Sequence, residues 1–160
     1  MSPEPIPVPV KLLTEQGRVP QRAYEHDAAF DLYAGEAAEI PPQSRAVVGT
    51  GIALGLPPGL AALTLPRSGL AARHGISIVN APGLIDPGYR GEVRIILLNT
   101  DAHEPFTVAP GDRIAQLLLV PLPRVALHEA AELDDTHRGV QGFGSSGLRD
   151  TPDTRGGAST

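Results

Sequence analysis

The residues best suited to chemistry lie together, in the stretch Asn-Ala-Pro-Gly-Leu-Ile-Asp-Pro-Gly-Tyr-Arg-Gly-Glu over residues 80–92. Asp86 opens a turn that continues through Pro87 and Gly88 and ends on Tyr89. Proline fixes φ at the second position and glycine supplies positive φ at the third, which is the type II preference. Such a turn sets a carboxylate beside a flat ring on a stiff scaffold, and a small-molecule site could be built that way. An ordinary hairpin could be built from the same residues, because aspartate is a favoured turn starter. Taken alone, the turn favours the hairpin.

Four other segments could work with it. Pro-Arg-Ser-Gly-Leu-Ala, residues 66–71, puts Arg67, the hydroxyl of Ser68 and unpaired N–H groups from Gly69 onward at a helix start, where the dipole and open amides favour anions. Its plain alternative is a capped helix with an exposed arginine. Arg138 to Gly147 offers a guanidinium, Phe143, the hydroxyls of Ser145 and Ser146 and unencumbered amides around Gly144, a loop able to wrap phosphates. By composition alone it is a flexible tail. Asp31, in Ala-Ala-Phe-Asp-Leu-Tyr over residues 28–33, is a lone acid in an apolar strand, and burial without a partner is costly. It should therefore meet an arginine or a hydrated cation. Gly-Asp-Arg-Ile-Ala-Gln-Leu, residues 111–117, runs from a turn into a strand whose odd polar member is Gln116.

These segments must be carried by short strands. Apolar or alternating runs recur at residues 8–13, 29–33, 45–49, 51–56, 60–65, 76–79, 92–98, 106–108, 113–120 and 125–128, with Gly, Pro, Asn or Asp in nearly every gap. Many short, evenly spaced strands predict a sandwich, jelly roll or barrel. One short helix is expected, with Ser68 as N-cap, residues 69–74 as its body and Gly75 as its end. From residue 130 the chain turns polar, and residues 148–160 read as a mobile tail.

The 160-residue length suits one domain, and 41% apolar residues are too many for a disordered chain. The net charge of −5 argues against a dedicated nucleic-acid binder. The absence of cysteine removes disulfides and thiolate chemistry. No signal peptide or membrane span is evident, so a cytoplasmic location is expected. The one lysine, Lys11, lies outside any P-loop pattern, and the glycines of residues 142–147 lack the strand and helix of a dinucleotide fingerprint. The five histidines lack metal-ligand spacing, and no nucleophile elbow surrounds Ser68.

Taken in order, Ala-Phe-Asp-Leu, Pro-Arg-Ser-Gly-Leu-Ala, the residues 80–92 stretch, Gly-Asp-Arg-Ile-Ala-Gln-Leu and Arg-Gly-x-x-Gly-Phe-Gly-Ser-Ser-Gly resemble the five motifs of the trimeric dUTPases. The resemblance covers residues 10–147 and implies an all-β, distorted jelly-roll subunit of a homotrimer with shared active sites. It divides the chain into a β domain over residues 1–137, a closing arm over residues 138–147 and the tail. It implies Mg²⁺-assisted hydrolysis of dUTP to dUMP and pyrophosphate, which limits uracil incorporation into DNA and supplies dUMP for dTMP synthesis.

By the same resemblance, Asp86 activates the attacking water; a free aspartate, with a pKa of about 3.9, is ionised at neutral pH. Arg67, Ser68, Gly69 and Gln116 would hold phosphate oxygens, and Arg138, Gly144, Ser145 and Ser146 would grip them from a neighbour's arm. Tyr89 would pack under deoxyribose, Asn80, Gly83, Leu84 and Ile85 would read uracil, and Phe143 would stack on it. Arg94 would contact substrate or simply face outward on its strand. Mg²⁺ would be held by phosphates and waters, with Asp31 an outer-shell partner through water. The chain departs from the pattern at Gln141, where the family commonly has glycine, and a side chain there disfavours the positive φ that glycine adopts freely. Two rival readings stay open: a dCTP deaminase or bifunctional deaminase–hydrolase of the same superfamily, and a catalytically silent nucleotide-binding or regulatory trimer.

Overall fold

Leu, Ile, Val and Ala supply the core, and their alternation decides which face of each strand turns inward. The structure, a computed structural model, describes residues 4–136 together with 139 and 140. Among the described residues four antiparallel sheets form. β1 (Val10–Leu12) pairs with β5 (Ile52–Leu54), and β3 (Ala38–Ile40) pairs with β10 (Phe106–Val108). A three-stranded sheet runs β4 (Arg45–Gly49), β9 (Arg94–Asn99), β7 (Ile76–Ile78). A four-stranded sheet runs β2 (Phe30–Tyr33), β11 (Arg113–Pro121), β6 (Leu60–Leu65), β8 (Gly83–Ile85). This is the distorted jelly-roll class, all-β with one short helix, α1 (Ser68–His74).

In β9, Ile95, Leu97 and Asn99 point inward while Arg94 faces solvent, the period-2 pattern of a strand with one covered face. Leu32, Ile40, Val48, Ile52, Leu56 and Ile114 belong to the same core cluster as Ile95 and Leu97. Each fully buried aliphatic side chain contributes about 1.5–3 kcal/mol. Asn99 is polar and wholly buried, and its amide donates to the carbonyls of Ile40 (3.0 Å) and Glu104 (2.8 Å), so it ties β9 to its neighbours.

Residues 49–51 form a crowded corner between β4 and β5. Gly51 has φ of +69°, and a Cβ there would collide with the Thr14 hydroxyl. A Cβ on Gly17 would strike the Gly51 carbonyl, and one on Gly35 would lie 2.8 Å from the Gly51 nitrogen. The side chain of Glu92 accepts from the Gly51 N–H at 2.9 Å, and the buried Thr50 hydroxyl donates to the Val93 carbonyl at 2.6 Å. The end of the residues 80–92 stretch is thereby fastened to the core.

Four local expectations are corrected. Ser68 is the first helical residue and not the N-cap, a position taken by Arg67 in extended conformation with no side-chain cap. Gly75 does end the helix, in the left-handed region at φ 63°. Gly88 is absent from the positive-φ glycines, so the Asp86–Tyr89 turn is not type II, although its bond from the Tyr89 N–H to the Asp86 carbonyl forms at 3.1 Å. Glycine permits type II without compelling it. Residues 125–128 form no strand: alternation alone makes none, and Val125 and Leu127 are exposed. The runs at residues 8–13 and 51–56 also shorten, to β1 and β5.

Contacts set Met1–Arg124 apart as one unit from Val125 onward, and every strand of the described residues belongs to the first. Among the described residues no helix is long and apolar enough to cross a membrane.

Candidate active site

Asp31 anchors one half of the site. It lies in β2 with 5% of its surface exposed, opposite Gln116 in the ladder with β11. Arg67 Nε stands 3.3 Å from Asp31 Oδ1 and Arg113 NH1 3.2 Å from Oδ2. Two arginines, one of the partner types expected for this buried acid, meet its carboxylate. Arg67 NH1 also donates to the Arg113 carbonyl at 3.1 Å, so an ion pair and a hydrogen bond orient its guanidinium. A register shift between Arg113 and Ala115 marks a bulge where Arg113 leaves the regular ladder. Gln116 is half-buried and also faces Leu65 of β6, so Asp31, Gln116 and the start of α1 come together. Ser68 and Gly69 are exposed in the first turn of that helix. Arg67 and Arg113, with Leu70, His74 and Phe106, line a pocket of about 300 Å³.

The hairpin forms the other half, on the far side of β6. Thr64 pairs with Gly83, Leu63 with Leu84 and Ala62 with Ile85. Gly83 is buried against Thr64, whose hydroxyl occupies the place a Cβ would need, and the Asn80 amide nitrogen lies 3.2 Å from that place. Leu84 is 63% exposed and Ile85 is buried, so the strand presents one apolar side chain outward. The peptide between Ala81 and Pro82 is cis. Asp86 is exposed at the strand end, and Tyr89 follows it with its hydroxyl donating to the Glu92 carbonyl at 2.9 Å. Arg90 NH1 donates to the carbonyls of Pro87 (2.6 Å) and Tyr89 (2.8 Å) and braces the turn. Arg94 is exposed beyond the hairpin, 3.9 Å from Glu92.

The two halves of one chain do not meet. Asp86 follows the partner of Ala62, whereas Arg67 lies five residues further along the same extended run, roughly 16 Å at strand spacing. Arg67 is moreover turned toward β2 and β11, and the hairpin flanks the opposite edge of β6.

Residues 15–147 match the family model for dUTPase. The chain belongs to the dUTPase family. The deoxyuridine 5'-triphosphate nucleotidohydrolase of Tropheryma whipplei (strain Twist) is 49% identical over 142 residues, which cover 89% of this chain and 97% of that protein. The protein of the same name from Corynebacterium glutamicum is 54% identical over 129 residues, covering 81% and 87%. Among solved structures, the Staphylococcus bacteriophage 80alpha dUTPase with dUPNHPP matches with a TM-score of 0.82 at 30% identity, over 89% of this chain and 99% of that one. A mutant dUTPase from phage phi11 of S. aureus, described for its coordination of a structural Mg(II) ion, matches with a TM-score of 0.75 at 26% identity, over 81% and 100%.

All five dUTPase motifs of this sequence fall within the matched residues. Arg138, Phe143, Gly144, Ser145 and Ser146, the closing arm and the tail lie outside the described residues. Two contributors to the site carried no role in the sequence: Arg113, which shares Asp31 with Arg67, and Thr64, which backs Gly83. The need of a buried Asp31 for cations was the signal for Arg113. Nothing in the sequence pointed to Thr64.

Proposed function

We propose that this chain hydrolyses dUTP to dUMP and pyrophosphate as a cytoplasmic homotrimer, each active site combining one subunit's hairpin with another's Asp31–Arg67–Gln116 cluster. The observation that carries this reading is the separation of Asp86 from Arg67 within one chain, in a family whose relatives are named for dUTP hydrolysis. A single phosphate group cannot touch both residues of the same chain.

In this reading Asp86 accepts a proton from a water whose oxygen attacks the α-phosphorus in line. The bond from that phosphorus to the bridging oxygen breaks, and pyrophosphate leaves. Phosphoryl transfer asks mainly for positioning and charge neutralisation. Arg67, fixed by Asp31 and the Arg113 carbonyl, keeps the rest of its five N–H donors for phosphate oxygens. Ser68, Gly69 and Gln116 act beside it. Arg138, Gly144, Ser145 and Ser146 grip the same triphosphate from the closing arm, and Phe143 stacks on the base.

Tyr89 lies under deoxyribose and leaves no room for a 2′-hydroxyl. Asn80, Gly83, Leu84 and Ile85 read the uracil edge, and Arg94 steadies substrate from the rim. Mg²⁺, carried by the triphosphate, would neutralise developing charge, with Asp31 an outer-shell partner through water. The donor set fits: each oxygen of Asp31 meets one arginine and keeps a second lone pair, and Gln116 is its ladder neighbour.

Pyrophosphate release from dUTP, UTP, dCTP and dTTP, with Mg²⁺ and with chelator, tests the reading. Turnover of dUTP alone, lost with chelator, is expected. Ammonia release from dCTP, or no turnover of any of the four, would overturn it.

A further inference from the structure

Gly91 lies directly beneath the ring of Tyr89. A Cβ at Gly91 would sit 2.5 Å from the tyrosine oxygen, 2.7 Å from Cζ and 3.0 Å from Cε2. These are the far atoms of the ring, and outside residues 90–92 no other atom of the described residues comes nearer to that point. The ring therefore rests against bare main chain and is held there by the hydroxyl's bond to the Glu92 carbonyl at 2.9 Å. Glu92 is itself fixed, since its side chain accepts from the Gly51 N–H at 2.9 Å in the buried corner. The seat thus has three parts: a missing side chain, a main-chain acceptor, and a carboxylate that fastens the acceptor to the core.

We propose that Gly91 is a specificity-determining position, acting through Tyr89 by letting its ring lie back far enough to set the depth of the sugar site. The inference rests on the role given above to Tyr89. A methyl group at residue 91 meets the end of a side chain that is 47% exposed, so the ring swings outward and the fold survives. Glycine is needed for space and not for φ, because Gly91 is not among the residues with positive φ. Once displaced, the ring stands closer to the sugar, the site becomes shallower, and dUTP loses the fit that sets it apart from UTP.

The test compares wild type, Gly91→Ala, Tyr89→Phe, Tyr89→Ala and the double variant Gly91→Ala/Tyr89→Ala, with two readouts. The first is kcat/KM for dUTP and for UTP. Gly91→Ala should relax the preference for dUTP by about tenfold or more, the scale on which a misfitted pocket discriminates one small group. Tyr89→Phe should relax it less, because only the hydroxyl's tether is lost. In the Tyr89→Ala background the glycine substitution should have no further effect, the non-additivity of two residues acting as one.

The second readout is the NMR signal of ring-labelled tyrosine, of which the chain has three. The Tyr89 signal, assigned by its absence in Tyr89→Ala, should shift in Gly91→Ala while those of Tyr24 and Tyr33 stay. An unmoved Tyr89 signal, an unchanged preference, or a full glycine effect without the tyrosine overturns the inference. Failure of the wild type to release pyrophosphate from dUTP overturns the function proposed above instead, and the NMR signal still decides the seat.

Discussion

Arg67 and Asp86 stand on opposite flanks of β6 in one chain, the first drawn toward Asp31 and the second at the end of β8. Complementation between two inactive variants follows from this separation. Asp86→Asn and Arg67→Ala homotrimers should each be nearly inactive. Refolded together in equal amounts, they should recover roughly a quarter of wild-type activity per site, the random expectation for a site that draws one residue from each side of a rotational interface. A mixture no more active than its parents would place both residues in the service of one chain's own site.

Asp86→Asn alone should keep affinity for a non-hydrolysable dUTP analogue, since an amide of the same shape still fills the turn. Turnover should fall by roughly 10²–10⁴-fold, the usual range for loss of a general base. Calorimetric titration beside a pyrophosphate assay separates the two effects. Retention of most of the activity would remove Asp86 from the role of base.

Asp31→Ala should cost stability as well as catalysis. It leaves Arg67 and Arg113 without the carboxylate that both contact. Both arginines keep some access to water, so a loss of about 1–3 kcal/mol is expected, read as a lower denaturant midpoint. KM for dUTP should rise with it, because Arg67 loses its orientation. A stable variant with normal KM would show that the Arg113 carbonyl alone suffices to hold Arg67.

Arg138→Ala should slow turnover by roughly 10²-fold, the scale of one lost charge contact in the transition state. An unchanged rate in single-turnover kinetics would refute closure of the arm over the triphosphate.

Acid stability offers a check away from the site. The N–H groups of Glu104 and His103 donate to Asp101 Oδ1 at 2.9 and 2.8 Å and hold its carboxyl below the ordinary value of 3.8. A group whose pKa is lower in the folded state stabilises fully above its unfolded value and loses that contribution as pH falls through the folded one. The advantage of wild type over Asp101→Asn, measured as a difference in denaturant midpoint, should be constant above pH ~5 and shrink below ~4. A difference independent of pH down to ~2 would remove the charged cap.

Much of this was legible in the residues, for reasons that differ from element to element. Short apolar runs bounded by turn residues, such as those of β6 and β9, declare themselves because so much apolar surface must be covered. β3 did not, since Ala38, Glu39 and Ile40 are too few to show a period, and it exists by pairing with β10. Residues 125–128 failed in the opposite sense, carrying the alternation without forming a ladder. The partner of Asp31 was legible in kind, because a buried carboxylate demands a cation, but its doubling was not. That depends on the bulge beside Arg113, which follows from how β11 meets β2. The helix start was misplaced by one residue because Ser68 is the better capping side chain, while the extended backbone of β6 runs on through Arg67.

The corner at residues 49–51 sets a limit on what inheritance can revise. Where two side chains collide, a change in either can relieve the other. At Gly17 and Gly35 the obstacle is peptide backbone, which no codon can shorten, and Gly51 adds a left-handed φ. Drift at residues 17, 35 and 51 thus has no local compensation open to it. The exposed Leu84 and Arg90, on the hairpin this corner anchors, remain open to exchange. A lineage of this protein can revise what the hairpin touches far more readily than where the hairpin stands.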